Sequence, residues 1–192
     1  MEYSTDESQN SASNYMGKNV AIAPCKNEII SSQLRGVLGI KSEQLEELHS
    51  KGRLLSLENQ IPIVRVRQFL PERIQTLLLG GPTINLWATR TSNHTIWERL
   101  KKDDYVIFYG MRKMTYVTKI VATFESPEIS KLIWGPSWDL IMFLNVLKFV
   151  NVEWKEVCDA VGYDLFYPQK FMSPRKENMA RFVEVIESLV RT

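Results

Sequence analysis

The side chains able to move a proton or attack a substrate are few and scattered. His94 is one of two histidines, the other being His49. A general base needs a partner that orients it, and no such partner stands beside His94, which reads as an exposed residue at a helix start. Asp103-Asp104 is an adjacent carboxylate pair. Neighbours in extended chain point apart, so the pair reads as a solvated turn, not an acid–base dyad. Cys158 falls on an apolar helix face and reads as core. Neither Cys25 nor Cys158 has a Cys or His at metal-ligand spacing. The sequence has no GxSxG, phosphate-binding P-loop, GxGxxG or HExxH. No cofactor, metal or catalytic activity is expected, and binding is the chemistry left.

Aromatic residues carry that expectation. Trp87, Trp97, Trp134, Trp138 and Trp154 are all five tryptophans, and all lie in the second half or close before it. Trp97 and Trp154 fall on apolar helix faces and read as core. Trp87 shares one side of a strand with Asn85 and Thr89, opposite Leu86 and Ala88. Trp134 closes a helix before a Gly-Pro turn, where backbone can approach a ligand. Trp87 and Trp134 read equally as core or as walls of a cleft for a flat ligand. Two aromatic planes with an Asn or Ser between them can stack a base and read its edge. From residue 85 to 131, eight Lys and Arg face five Asp and Glu. Arg90 follows the strand, Lys101-Lys102 and Arg112-Lys113 lie in turns, and such groups suit phosphates. An ordinary soluble surface would carry the same charges.

These residues need elements to position them. Residues 1–19 are polar and read as a flexible tail. Residues 20–81 read as an extension. In it Ser42 caps a helix with Leu45 and Leu48 that Gly52 ends, Ile61 to Arg67 alternates like an edge strand, and Pro71 opens a helix through Leu79. From residue 82 to 192 a further domain is expected. It opens with a strand over 83–88 and a short helix capped by Ser92 or Asn93 that carries Ile96, Trp97 and Leu100. Strands over 105–109 and 114–124 follow. Pro127 opens a helix ending near Trp134-Gly135, and 141–150 reads as one or two strands. Trp154, Val157, Cys158 and Val161 recur at helical spacing, and Gly162 stops that helix. Ser173-Pro174 starts a last helix with Met179, Phe182, Val183, Ile186 and Val190 on its core face. Short strands with small helices between them imply an α+β fold, a curved mixed sheet or small barrel flanked by helices.

Composition bounds the function without choosing it. The chain has 192 residues, 44% hydrophobic and 24% charged, enough for a buried core. A net charge of +2 permits nucleic acid but does not argue for it. The longest apolar run, 140–150, is interrupted by Asn145 and Lys148 and is too short to span a bilayer. No basic, then apolar leader opens the sequence, and the cytoplasm is the expected compartment.

Asn85-Leu86-Trp87, Asn93, Trp97 and the run from Lys102 to Tyr109 resemble the opening of an EVE domain, of the PUA-like superfamily to which YTH domains are related. Lys102 or Asp103 stands where that turn usually has Gly. Leu132 to Gly135, Trp138 to Leu144, Val161-Gly162-Tyr163 and Pro168 to Phe171 resemble its later elements, with Lys170 where Gly is common. The resemblance covers about residues 84–189. It implies a small twisted barrel with helices around it, and recognition of a modified, flipped base in DNA or RNA, as in N-terminal specificity domains of McrB-like restriction proteins. Carried onto this chain, it implies Trp87 and Trp134 as cage walls and Asn85, Thr89 and Asn93 as polar readers. Tyr109 and Trp138 would line the cavity, and the charge pattern, apart from the resemblance, gives Arg90, Arg112, Lys113, Lys101 and Lys102 as phosphate contacts. A restriction role implies a motor or nuclease partner, since the chain has neither motif. An RNA-binding module blind to modification, a nucleobase- or RNA-modifying enzyme and a peptide-binding cleft are the other readings.

Overall fold

The computed structural model describes residues 17–24, 60–77 and 83–192. The expected helix from Ser42 to Gly52 and most of the expected tail lie outside these residues. Six strands among the described residues form one mixed sheet: β1 (Val20–Pro24), β2 (Gln60–Pro62), β3 (Thr83–Thr89), β4 (Tyr105–Gly110), β5 (Lys113–Glu125) and β6 (Leu140–Glu153). Their spatial order is β1-β4-β5-β6-β3-β2. Only β1 and β4 run parallel. β1 and β2 come from the segment expected as an extension, and both are bonded into the sheet of the later strands.

β1 and β4 are short apolar runs because both of their faces are covered. Val20 to Ala23 and Tyr105 to Tyr109 are all buried. Met111 and Arg112 join β4 to β5 with φ of 50° and 62°. Two successive positive φ values match the right-handed twist of a hairpin. The register between β5 and β6 then slips three times, between Met114 and Tyr116, Val117 and Thr118, and Ile120 and Ala122. Each slip changes the side to which following residues point and bends the strand.

The bending wraps the sheet about one face. Ala21 and Ala23 of β1 share a core with Trp87 of β3, Phe108 of β4, Tyr116 of β5 and Met142 of β6. Strands from both ends of the sheet order therefore meet across this inner face. The outer face carries two separate cores. One packs Ile22, Ile107 and Val117 under α5 (Trp154–Val161) and α6 (Met179–Arg191). The other packs Leu86, Ala88 and Ile141 against Val66 of α1 (Ile63–Val66), Ile74 of α2 (Glu72–Gln75) and Ile129 of α4 (Pro127–Ile133). α3 (His94–Trp97) lies on the inner side, where Trp97 joins the inner core.

Local chemistry sets the helix ends. Ser126 Oγ accepts from the Ile129 amide at 3.2 Å, and Pro127 opens α4. Gly162 closes α5 in the left-handed region, φ 74°.

Three expectations change. The helix expected from Pro71 through Leu79 is only α2, followed by a turn at 76–77, and residues 78–79 lie outside those described. The strand expected from Ile61 to Arg67 is only β2; α1 follows at once, because Val66 is drawn into the core beneath β3. The last helix starts at Met179 after a 3-10 turn (Lys176–Asn178), not at Ser173. Residues just before that turn cover the open edge of β1. Ile22 and Met172 exchange both backbone hydrogen bonds, at 2.8 and 3.1 Å, and Ser173 Oγ donates to Val20 O at 3.0 Å. An exposed strand edge leaves backbone groups unsatisfied, and here a local segment satisfies them.

Candidate nucleic-acid interface

A cleft of about 930 Å³ opens where β1 and β4 begin. Residues from three distant stretches line it: 17–19 in the first, 92–93, 95–96 and 99–100 in the second, and 170–174, 176 and 179–180 in the third. Ile96, Leu100, Phe171, Met172 and Met179 make its apolar part. Lys18, Arg99, Lys170 and Lys176 supply positive charge. Among the described lining residues there is no Asp, Glu, His, Cys or Tyr.

One buried carboxylate builds this end of the molecule. Asp104 is 3% exposed. Its Oδ1 accepts from the Asn19 amide at 2.7 Å, and its Oδ2 accepts from Asn19 Nδ2 at 3.0 Å and the Lys101 amide at 2.8 Å. Asn19 Nδ2 also donates to Arg99 O at 3.2 Å. The lead into β1 and the turn after α3 are thereby held together. The expectation of a solvated Asp pair is corrected for Asp104, since backbone and amide donors replace its water. Asp103 is exposed and takes φ 71°, the conformation for which Gly is usual in the resembling turn.

Charge in the cleft is partly compensated. Lys18 Nζ lies 2.6 Å from Glu187 Oε1 on α6, and Tyr105 Oη donates to the same oxygen at 3.0 Å. Burial opposes ionisation of Glu187, but the hydrogen bonds from Lys18 and Tyr105 outweigh it and hold the carboxyl below its ordinary range. The same bond raises the Lys18 ammonium. Burial, then Glu187, pushes the Tyr105 phenol up. Arg99, Lys170 and Lys176 have no ion pair with a described carboxylate.

The expected base-binding residues fall in separate places. Trp87 is on the inner face, 9% exposed, edge-on to Phe108 at 5.0 Å. Thr89 is buried beside it in the strand and accepts from Asn93 Nδ2 at 2.7 Å. Asn93 therefore turns back to β3 and does not cap α3 with its side chain. Asn93 is the one residue of the expected set that lines the cleft. Asn85 Oδ1 is buried with no hydrogen-bond partner among the described residues. Trp134 and Trp138 belong to the outer core beneath α4, with Leu86 and Ala88. Trp87 and Trp134 therefore do not face one cavity. The alternation of β3 sends Trp87 inward, whereas α4 packs on the strand's other side. Tyr109 is also on the outer face, edge-on to Trp154 at 5.0 Å, and burial raises its phenol pKa.

The expected phosphate contacts divide as well. Lys101 and Lys102 are exposed at the cleft end of β4, next to Arg99. Arg112 and Lys113 lie at its other end, about 20 Å away for six residues of strand. Arg112 sits over Tyr167 at 5.6 Å, and Lys113 pairs with Glu153 at 3.2 Å. Arg90 sits over Trp138 at 5.2 Å. His94 is half exposed, 3.5 Å from Glu125 and 3.7 Å from Glu98, a surface arrangement. Cys158 is buried in the outer core, and burial raises its thiol pKa. The cleft residues that sequence reasoning left out include Lys18, Arg99, Lys170, Phe171, Met172, Lys176 and Met179. Arg99 had a signal in its place between Trp97 and Lys101; pairing of the 170–173 segment with β1 leaves no local pattern.

No protein-family model matches the chain. No curated protein matches it. Among solved structures it is similar to the N-terminal domain of Thermococcus gammatolerans McrB bound to m5C DNA, with TM-score 0.58 and 15% identity, over 90% of this chain and 99% of that one. It also matches the Mmi1 YTH domain, with TM-score 0.45 and 10% identity, over 91% of this chain and 98% of that one. A third match is ASCH from Zymomonas mobilis, with TM-score 0.38 and 8% identity, over 86% and 94% respectively. The fold is α+β and is shared with that McrB domain.

Proposed function

We propose that this chain is a nucleic-acid-binding module that admits a base, turned out of its stack, into the cleft at the head of β1 and β4. The observation that carries this reading is a cleft of about 930 Å³ with cations at its rim and no acidic residue among its described lining. Arg99, Lys170 and Lys176 would meet phosphates, and Lys101 and Lys102 would extend the basic edge. The apolar floor would take the flat face of the base, with Ser92, Asn93 and Ser173 at its edges.

The finer reading is a methylated base. The floor offers two methionines and a phenylalanine to an added methyl group. Burying one such group is worth about 0.8 kcal/mol, roughly fourfold in affinity. The EVE-like motifs, and the m5C DNA held by the McrB domain of the same fold, support that choice. In a restriction role this chain would supply specificity, and a motor or nuclease partner would supply cleavage. An enzymatic role draws no support from the cleft, whose described lining offers lysines but no carboxylate, imidazole, thiol or phenol to pair with them as acid and base.

Fluorescence anisotropy with a methylated-cytosine DNA duplex, its unmethylated form and the matching single-stranded RNA tests the proposal. Binding should weaken with salt, and Arg99→Ala should reduce the slope of log K against log salt by about 0.9 on duplex or 0.7 on a single strand. Preference for RNA whatever its methylation would select the modification-blind RNA module. Absence of salt-dependent binding to all three, or an Arg99→Ala/Lys176→Ala variant that binds like wild type, would refute the cleft.

A further inference from the structure

A second feature lies two residues along the chain from the cleft lining and is not part of it. Arg90 follows β3 directly, and its guanidinium lies over the indole of Trp138 at 5.2 Å. Arg90 is exposed, and it has no ion pair with a described carboxylate. Two residues further on, Ser92 and then Asn93 line the cleft. Two residues of chain reach at most about 7 Å, within about two nucleotides of a duplex strand, whose charges are spaced about 3.4 Å apart along the helix axis.

The indole is held firmly for a surface ring. Ser130 is fully buried in α4, and its hydroxyl donates to Gly135 O at 2.6 Å and accepts from the Trp138 amide at 3.1 Å. Gly135 and Ser137 both take positive φ, 92° and 74°. The Thr91 amide donates to Ser137 O at 3.3 Å, tying this loop to the chain that enters the cleft. A guanidinium resting on an indole gains from its quadrupole. It also keeps an outer plane on which a base can stack while its N–H edge reaches a phosphate.

We infer that Arg90 and Trp138 form a stacking subsite for the nucleotide flanking the one in the cleft. The inference rests on the nucleic-acid reading above. Its occupant is a nucleobase on the Arg90 plane, so its contribution depends on a base being present there.

The test compares two DNA strands, each with one methylated cytosine: one intact, one abasic at both flanking positions. Arg90→Ala and Trp138→Ala should weaken binding of the intact strand roughly 5- to 150-fold and change binding of the abasic strand much less. Arg90→Lys keeps the charge without the plane and should not restore the intact strand. Trp138 is part of a core, so melting of Trp138→Ala is followed in parallel; Arg90 is exposed, and its variants keep the test decisive if Trp138→Ala unfolds. Equal losses on both strands, or full rescue by Arg90→Lys, would overturn the stacking subsite. If Arg99→Ala weakens binding while Arg90→Ala does not, the subsite fails and the cleft stands. If wild-type protein binds neither strand nor the matching RNA, both fail.

Discussion

Asp103 and Asp104 are neighbours of the same chemistry, yet their substitution should act with opposite sign. Asp104 accepts three hydrogen bonds, one on Oδ1 and two on Oδ2. An Asn at this position has one oxygen and one amide group. In its better orientation it keeps two bonds and sets its amide against the third donor. Bonds to an ionised acceptor are worth about 1.5–3 kcal/mol each and neutral ones about 0.5–1.5. Losing one bond and weakening two gives about 4 kcal/mol; water reaching the half-buried donors brings the expected cost of Asp104→Asn to about 3 kcal/mol. For a chain of this size that lowers Tm by roughly 6–12 °C. Asp103 is exposed at φ 71°. A left-handed conformation costs an L-residue about 1–2 kcal/mol, less for Asp, while Gly costs about 0.5–1 in unfolded-state entropy. Asp103→Gly should therefore be neutral or about 1 kcal/mol stabilising. Urea unfolding followed by tryptophan fluorescence reads both, as shifts of midpoint at constant slope. A loss under about 1 kcal/mol for Asp104→Asn, or an equal loss for Asp103→Gly, would refute the reasoning.

Three further outcomes follow from contacts elsewhere. Glu187 has a folded pKa below its ordinary value, so its contribution is present above the unfolded pKa and lost as pH falls through the folded one. Lys18, raised, contributes fully below its unfolded pKa and loses that contribution as pH rises through the folded value. Glu187→Gln should cost about 1–2 kcal/mol near neutrality, and acid titration of stability should show the gap from wild type closing below the usual carboxylate range. Gly162→Ala would keep φ 74° and set a Cβ 2.6 Å from Arg181 Nη1; the flexible guanidinium can move, so thermal melting should show the backbone cost alone, about 1–2 kcal/mol. Ser130→Ala removes both hydroxyl bonds under the Trp138 loop and should cost about 2 kcal/mol in urea unfolding, with looser binding of an intact strand but not of an abasic one.

The parts of the fold legible in the sequence were those with a local period. The 105–109 run, the β-branched stretch of β5 and the Trp154-Val157-Cys158-Val161 face each announce an element. β1 does not announce itself: five residues between polar segments say nothing of a partner 85 positions on. The bulges of β5 are hidden for a different reason. A slip changes the side to which Ile120 and Phe124 point, but depends on pairing with β6, and the intervening residues keep a uniform β-branched character. Ser173-Pro174 has the local signature of a helix start, and the open edge of β1 overrides it.

The same distinction explains the site. Alternation along β3 correctly separated Trp87 from Leu86 and Ala88. It could not show that α4 would cover the Leu86 side and carry Trp134 with it, since helix placement depends on which strand edges are open and how far the sheet curls. A pair of aromatic walls was thus read from two positions that a single sheet layer divides. The cleft itself joins the residue before β1, the turn after β3 and the strap along the β1 edge, none of which is near another in sequence. What brings them together is backbone bonding: Asp104 ties Asn19 to the Lys101 turn, and Met172 ties the strap to Ile22. Gathering Arg99, Lys170 and Lys176 there sets like charges against one another, which a structural role alone would disfavour. On the proposed reading a bound polyanion would offset that repulsion, and these cations, not a pair of tryptophans, are what the cleft gathers.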